Sequence, residues 1–164
     1  MSRLPLCLAL SVALTAPVSA RADASCAPVI SAFEKLASAP AYRQLTRAFG
    51  RKPMTSLAIG QKFYVQNEGE WQALELKPGE RQSMMKSAVG AGMKDCVQKS
   101  DETYEGDAVK VYAYAPPKEL EDQGAGEQTV WVGAKDGLPR RIFSERSEIQ
   151  LSYGDITPPP VGRQ

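Results

Sequence analysis

The chain contains no histidine among its 164 residues. A Ser–His–Asp triad, a Cys–His pair and a histidine-ligated metal site are therefore excluded, because each needs an imidazole as base or ligand. An excess of one charge sign is missing as well: 20 Lys and Arg stand against 19 Asp and Glu. With no basic surplus, the bulk charge points to neither nucleic acid nor anionic lipid. No apolar run follows the first twenty residues, so no membrane span is expected. A Cys-x-x-Cys pair is absent, which removes the usual spacing of a redox centre. Strand–helix–strand units do not recur, and this argues against a parallel sheet.

What is present begins with an export signal. Arg3 gives a positive start, and Leu4 to Val18 is mostly Leu, Ala and Val. Val18-Ser19-Ala20 and Ala20-Arg21-Ala22 place small residues where a signal peptidase reads them. Residues 1–22 are expected to be a cleaved signal peptide. Their removal takes Arg3 and Arg21 and no acid, so a formal charge of +1 becomes −1. Cys7 leaves with this segment. Cys26 follows Asp23-Ala24-Ser25, where an acylation signal would want an apolar residue at position 23. Cys26 and Cys96 remain, and in an oxidising compartment a disulfide is their simplest use.

The stretch Thr129 to Phe143 reads as strand, tight turn, strand, with Asp136-Gly137 as the turn. Val130 and Val132 fall on one face and Trp131 on the other. Similar units on both sides make this the expected centre of an antiparallel meander. Earlier in the chain, Pro28 to Ser38 carries Val29, Ile30, Phe33, Leu36 and Ala37 on one helical stripe, closed by Pro40. Ala41, Tyr42, Leu45, Ala48 and Phe49 repeat that spacing before Gly50 and predict a second helix. From Met54 the period becomes two, giving strands at Met54–Ile59, Gln61–Gln66 and Glu70–Leu76. Pro78-Gly79-Glu80 opens a third helix with Met84, Met85, Ala88, Val89 and Met93 as its stripe. Strands follow at Asp95–Glu105 and Ala108–Ala115. An acidic, glycine-bearing loop, Lys118–Glu127, leads into the hairpin. Ile149, Leu151 and Tyr153 mark a last strand, and Pro158-Pro159-Pro160 an extended tail. The expectation is one α+β domain over residues 23–157 with a tail at 158–164. Its core is a curved antiparallel sheet, an incomplete β-barrel, with helices packed on its concave face.

The leader, the N-terminal amphipathic helix, Trp131-Val132 before Asp136-Gly137-Leu138-Pro139-Arg140, and the closing Tyr153-Gly154-Asp155-Ile156 resemble the LolA/LolB-like periplasmic lipoprotein-carrier superfamily. Glu102-Thr103-Tyr104-Glu105-Gly106 before a strand resembles the matching hairpin of that group. The resemblance implies a periplasmic location and an apolar cavity between sheet and helices that takes acyl chains. It carries over no functional residue.

Trp71, Leu74, Leu76, Met84, Met85, Val89, Trp131 and Phe143 are the candidate ligand-binding residues. An acyl chain gains about 0.8 kcal/mol per buried methylene, so its site needs apolar walls and little else. The same residues suit a filled core equally well. Lys135, Arg140 and Arg141 cluster near the hairpin and suit either a phosphate or solvent. Glu119, Glu121 and Asp122 lie in the loop and lack the rigid placement that acid–base work needs. The expected function is therefore non-enzymatic: a periplasmic binding protein for a lipid or a lipoprotein acyl chain, without cofactor or metal, monomeric and without nucleic-acid partners. The alternative is an envelope protein-interaction or sensing module with a filled core. A void above roughly 300 Å³ under the third helix would favour the ligand.

Overall fold

In a computed structural model, residues 24–90, 92–118 and 126–161 are described. The expected signal peptide, the acids of the 119–125 segment and the last three residues of the tail lie outside them. A 3₁₀ turn at Ala24–Cys26 leads into α1 (Ala27–Ser38). Then come β1 (Ala41–Ala48), β2 (Met54–Ile59), β3 (Lys62–Asn67) and β4 (Glu70–Glu75). Helix α2 (Glu80–Gly90) precedes β5 (Lys94–Tyr104), β6 (Asp107–Ala115), β7 (Gln128–Gly133), β8 (Pro139–Phe143) and β9 (Ser147–Ser152). The nine strands form one sheet in the order β4-β3-β2-β1-β9-β8-β7-β6-β5. Every pairing is antiparallel. β4 and β5 end the sheet without pairing to each other, so the curved sheet is an unclosed barrel.

The sheet is two meanders, β1–β4 and β5–β9, joined where β9 returns to pair with β1. The chain passes from one sheet edge to the other through α2, which packs on α1. α1 in turn packs on β7 and β8. Its buried residues are Val29, Ala32, Phe33, Leu36 and Ala37, a single stripe at helical spacing. Pro28 stands in the first turn, and Ala39 turns extended before Pro40. The Cys26–Cys96 disulfide, with a Cα–Cα distance of 5.0 Å, fastens the entrance of α1 to β5.

The expected second helix is instead β1. Ala41–Ala48 pairs with β2 on one side and β9 on the other, six residue pairs on each. Tyr42, Leu45 and Ala48 fit the helical period, but an eight-residue run is short enough to form a strand as well. The choice falls to tertiary pairing, which satisfies every backbone group of a strand placed between two others. Gly50, with φ +81°, serves the β1–β2 connection and not a helix end. The middle of the sheet is accordingly β1–β9, and the Thr129–Phe143 hairpin lies to one side of it. That hairpin closes through residues 134–138, a wider loop than a two-residue turn. Gly137 N–H donates to Gly133 C=O at 2.8 Å. Gly137 is favoured there by its φ of +70°, and a Cβ would also force the Lys35 ammonium to shift.

Candidate functional site

An apolar pocket of about 190 Å³ lies between the helices and the β6–β9 part of the sheet. α1 supplies Phe33, and α2 with the segment after it supplies Met85, Val89 and Met93. The sheet side is Tyr114, Ile142 and Ile149, with Pro116, Pro117 and Gln128 at the β6–β7 end. Sequence spacing explains the convergence. Val130 registers against Ile142, and Ile142 against Ile149, so one face of three neighbouring strands points under α1. Tyr112 and Tyr114 sit two apart on β6 and share that face, where both are buried. Phe33 meets the Tyr114 ring edge-on, with centroids 6.2 Å apart and planes at 76°.

Two polar side chains line this wall, and they are hydrogen-bonded to each other. Tyr114 Oη donates to Gln128 Oε1 at 2.6 Å. Burial pushes the Tyr114 hydroxyl pKa well above the ordinary phenol range, so the ring stays neutral. The site thus presents hydrocarbon, thioether and aromatic surface and no charge. It offers no nucleophile and no acid–base pair. Among the described residues no group of three or more His, Cys, Asp or Glu is placed to hold a metal.

Helix α2 is held over this pocket from its first turn. Arg81 donates from Nε to Ala37 C=O at 2.7 Å and from a second nitrogen to Ala39 C=O, and its guanidinium lies 5.7 Å from the centre of the Tyr42 ring. Burial raises the Tyr42 hydroxyl pKa, with Arg81 opposing.

Of the eight candidate residues, Met85 and Val89 are brought together at the pocket. Met84, one residue away on α2, is 60% exposed. Leu74 is exposed on β4, with Trp71 half-buried on that strand and Leu76 half-buried just past its end. Trp131 belongs to the face of β7 turned away from Val130 and Val132. There its indole N–H donates to Glu102 at 3.0 Å, and the Arg141 guanidinium lies 4.6 Å from the ring centre. Phe143 leans on Phe49 and Arg141. Hydrogen bonds from Ser100 and then Trp131 hold the Glu102 carboxyl below its usual pKa. The basic cluster is matched internally. Arg140 pairs with Asp136 at 2.7 Å and Asp107 at 3.3 Å, and Arg141 pairs with Glu148 at 2.7 Å. Lys135 is exposed.

The pocket residues that sequence reasoning left out are Phe33, Met93, Tyr114, Pro116, Pro117, Gln128, Ile142 and Ile149. Tyr114, Gln128, Ile142 and Ile149 are brought there by strand register, and the others by how the helices and the β6–β7 connection pack on the sheet, neither of which a lone sequence carries. A second, larger groove of about 590 Å³ opens beside the end of α1, bounded by Lys35, Pro40, Leu138, Tyr153 and Asp155. Lys35 crosses it to donate to Asp136 C=O at 2.9 Å.

No known family profile matches the sequence, and no curated protein is detectably similar. Solved structures do match. LprF from Mycobacterium bovis overlays with a TM-score of 0.51 at 11% identity, covering 87% of this chain and all of that one (100%). The Mycobacterium tuberculosis lipoprotein LppX overlays at 0.47 with 15% identity, covering 79% of this chain and 92% of the other. A LolA superfamily protein from Nitrosomonas europaea overlays at 0.25 with 10% identity, covering 73% and 86%. The LprF overlay bears on the fold alone. The chain shares with LprF the curved antiparallel sheet with helices on one face that the sequence reading expected.

Proposed function

We propose that this chain is an exported, non-enzymatic protein that binds an apolar ligand, an acyl chain or a short segment of one, in the pocket beneath α1 and α2. The observation that carries this reading is a pocket wall whose two polar side chains, Tyr114 and Gln128, are bonded to each other. Such a wall rewards only apolar surface. Its size limits the ligand. A cavity of about 150 Å³ lined by Leu, Ile and Phe accepts a benzene-sized molecule, whereas drug-sized sites begin at about 300 Å³. At about 190 Å³ the pocket falls short of the roughly 300 Å³ expected for a full ligand site and suits only the end of a chain, not a whole lipid. Met85 and Met93 add adaptable walls, since unbranched thioethers fit varied apolar shapes. The Cys26–Cys96 disulfide is consistent with an oxidising, extracytoplasmic location.

Native mass spectrometry of the gently purified protein tests this. A retained mass released as lipid on denaturation supports the reading and names the cargo class. Met85→Ala should loosen that retention, and unchanged retention counts against the pocket. The small volume also favours a second reading, an envelope protein-interaction module with a filled core. A bare polypeptide mass, unshifted by phospholipid or acylated peptide, would leave that one standing.

A further inference from the structure

We propose that the β1–β2 and β8–β9 connections form a docking surface for an anionic phospholipid membrane. The two connections make one tip, because Phe49 N–H donates to Arg146 C=O at 2.9 Å. Phe49 is 55% exposed, Met54 43% and Phe143 36%, three of the seven exposed large apolar side chains among the described residues. The two phenyl rings lie 6.2 Å apart. Arg141 backs Phe143 at 5.3 Å and is itself fixed by Glu148, so the aromatic pair is set in place before any partner arrives.

Three exposed cations accompany the rings. Arg47, Arg140 and Arg141 each pair with a carboxylate. Arg51, Lys52 and Arg146 are exposed, and among the described residues none of them makes an ion pair. Glu145 is the one acid within the two connections. Glu68 and Glu70 at the β3–β4 turn, and Glu127 just before β7, flank the tip at the same end of the sheet, one to two strand spacings away, roughly 5–10 Å. Within the two connections themselves, three cations stand against one acid, on a protein that is nearly neutral overall. Exposed rings flanked by unpaired cations match an interface where phosphates overlie hydrocarbon: the rings enter and the cations stay with the headgroups. Two short connections are narrow for a specific protein interface, which usually buries about 1,600 Å² in total. Shallow insertion needs far less. The apolar pocket lies toward the same end of the sheet, since Ile142 precedes Phe143 and Ile149 follows the β8–β9 connection. The docking surface does not depend on that pocket being used.

The test is co-sedimentation of purified protein with vesicles of phosphatidylcholine, with and without phosphatidylglycerol. Binding is expected to the anionic vesicles and to weaken as salt rises. Combined Arg51→Glu, Lys52→Glu and Arg146→Glu should lower partitioning by roughly a hundredfold at low salt. Phe49→Ser should lower it by roughly tenfold. An unchanged melting temperature in both variants shows that the fold persists. Absence of wild-type binding to anionic vesicles, equal binding to neutral ones, or variants that sediment as wild type would each overturn the proposal. Binding of a fluorescent fatty acid, measured without vesicles, reads the pocket separately. Loss of one property without the other shows which of the two proposals has failed.

Discussion

Strands β6 and β4 look alike in sequence and differ completely in environment. Both place apolar side chains on each face: Val109, Val111 and Ala113 against Tyr112 and Tyr114 in β6, Trp71 and Ala73 against Leu74 in β4. In β6 all five are buried. In β4 only Trp71 is even half-buried, and Leu74 is 59% exposed. The difference lies in what stands around each strand. β6 has β5 and β7 on its two edges. The layer of α1 covers its tyrosine face, and Val111 on the other face registers against Trp131, which Arg141 caps. β4 has β3 on one edge and ends the sheet on the other. Apolar alternation thus reports the capacity to be buried, and only neighbouring layers decide whether burial occurs.

The largest effect should come from the disulfide that holds the helical layer over the β6 region. Replacing Cys26 and Cys96 by Ser should cost about 4 kcal/mol, because the bridge spans 70 residues of sequence. Denaturant unfolding with and without reductant measures this, and a loss below about 1 kcal/mol would mean the helices stay in place without it. A matched pair of truncations sharpens the contrast next. Val130→Ala, at a fully buried position beside β6, should cost about 2 kcal/mol, while Leu74→Ala on β4 should stay within about 0.5 kcal/mol. Equal costs would break the comparison.

Tyr114→Phe removes the hydroxyl that satisfies Gln128 in the pocket wall and should cost about 1 kcal/mol. The smallest effect should be an acid one. Burial alone would raise the Asp136 pKa, but the Leu138 N–H and the Arg140 guanidinium outweigh it and hold the carboxyl below its usual range. A depressed folded pKa stabilises the protein above the unfolded value and loses that contribution as pH falls through the folded one. Asp136→Asn should therefore flatten the acid limb of stability against pH below about 4. The change should be under 1 kcal/mol, because Asp136 is largely solvated and screened. An acid limb as steep as wild type would assign the loss to other carboxylates.

Sequence reading reached the elements wherever local chemistry forces the outcome. Pro28 and Pro40 frame α1 because proline fits a first turn and forbids helix in the residue before it. Glu68-Gly69 and Glu105-Gly106 close two-residue hairpins with positive φ at both positions, which the glycine at the second position makes easy. Cys26 and Cys96 pair as the sequence reading expected, with Cα atoms 5.0 Å apart, within the range a disulfide needs. The reading went astray at Ala41–Ala48, where an eight-residue run is short enough for either element and the sheet on either side settled the matter.

The site was less legible than the fold for the same reason. Met85 and Val89 share a helical stripe, and α2 alone suffices to place them together. Phe33, Tyr114, Ile142 and Ile149 come from four elements, and their meeting depends on register and on the passage of α2 across the sheet. By itself the sequence determined periodicity, turns and the cysteine pair, all set by interactions within a few residues or by elimination. The tertiary structure decided which strand became central, which apolar face was covered and where the pocket formed. Those outcomes depend on contacts between residues far apart in the chain, where no local spacing carries the information.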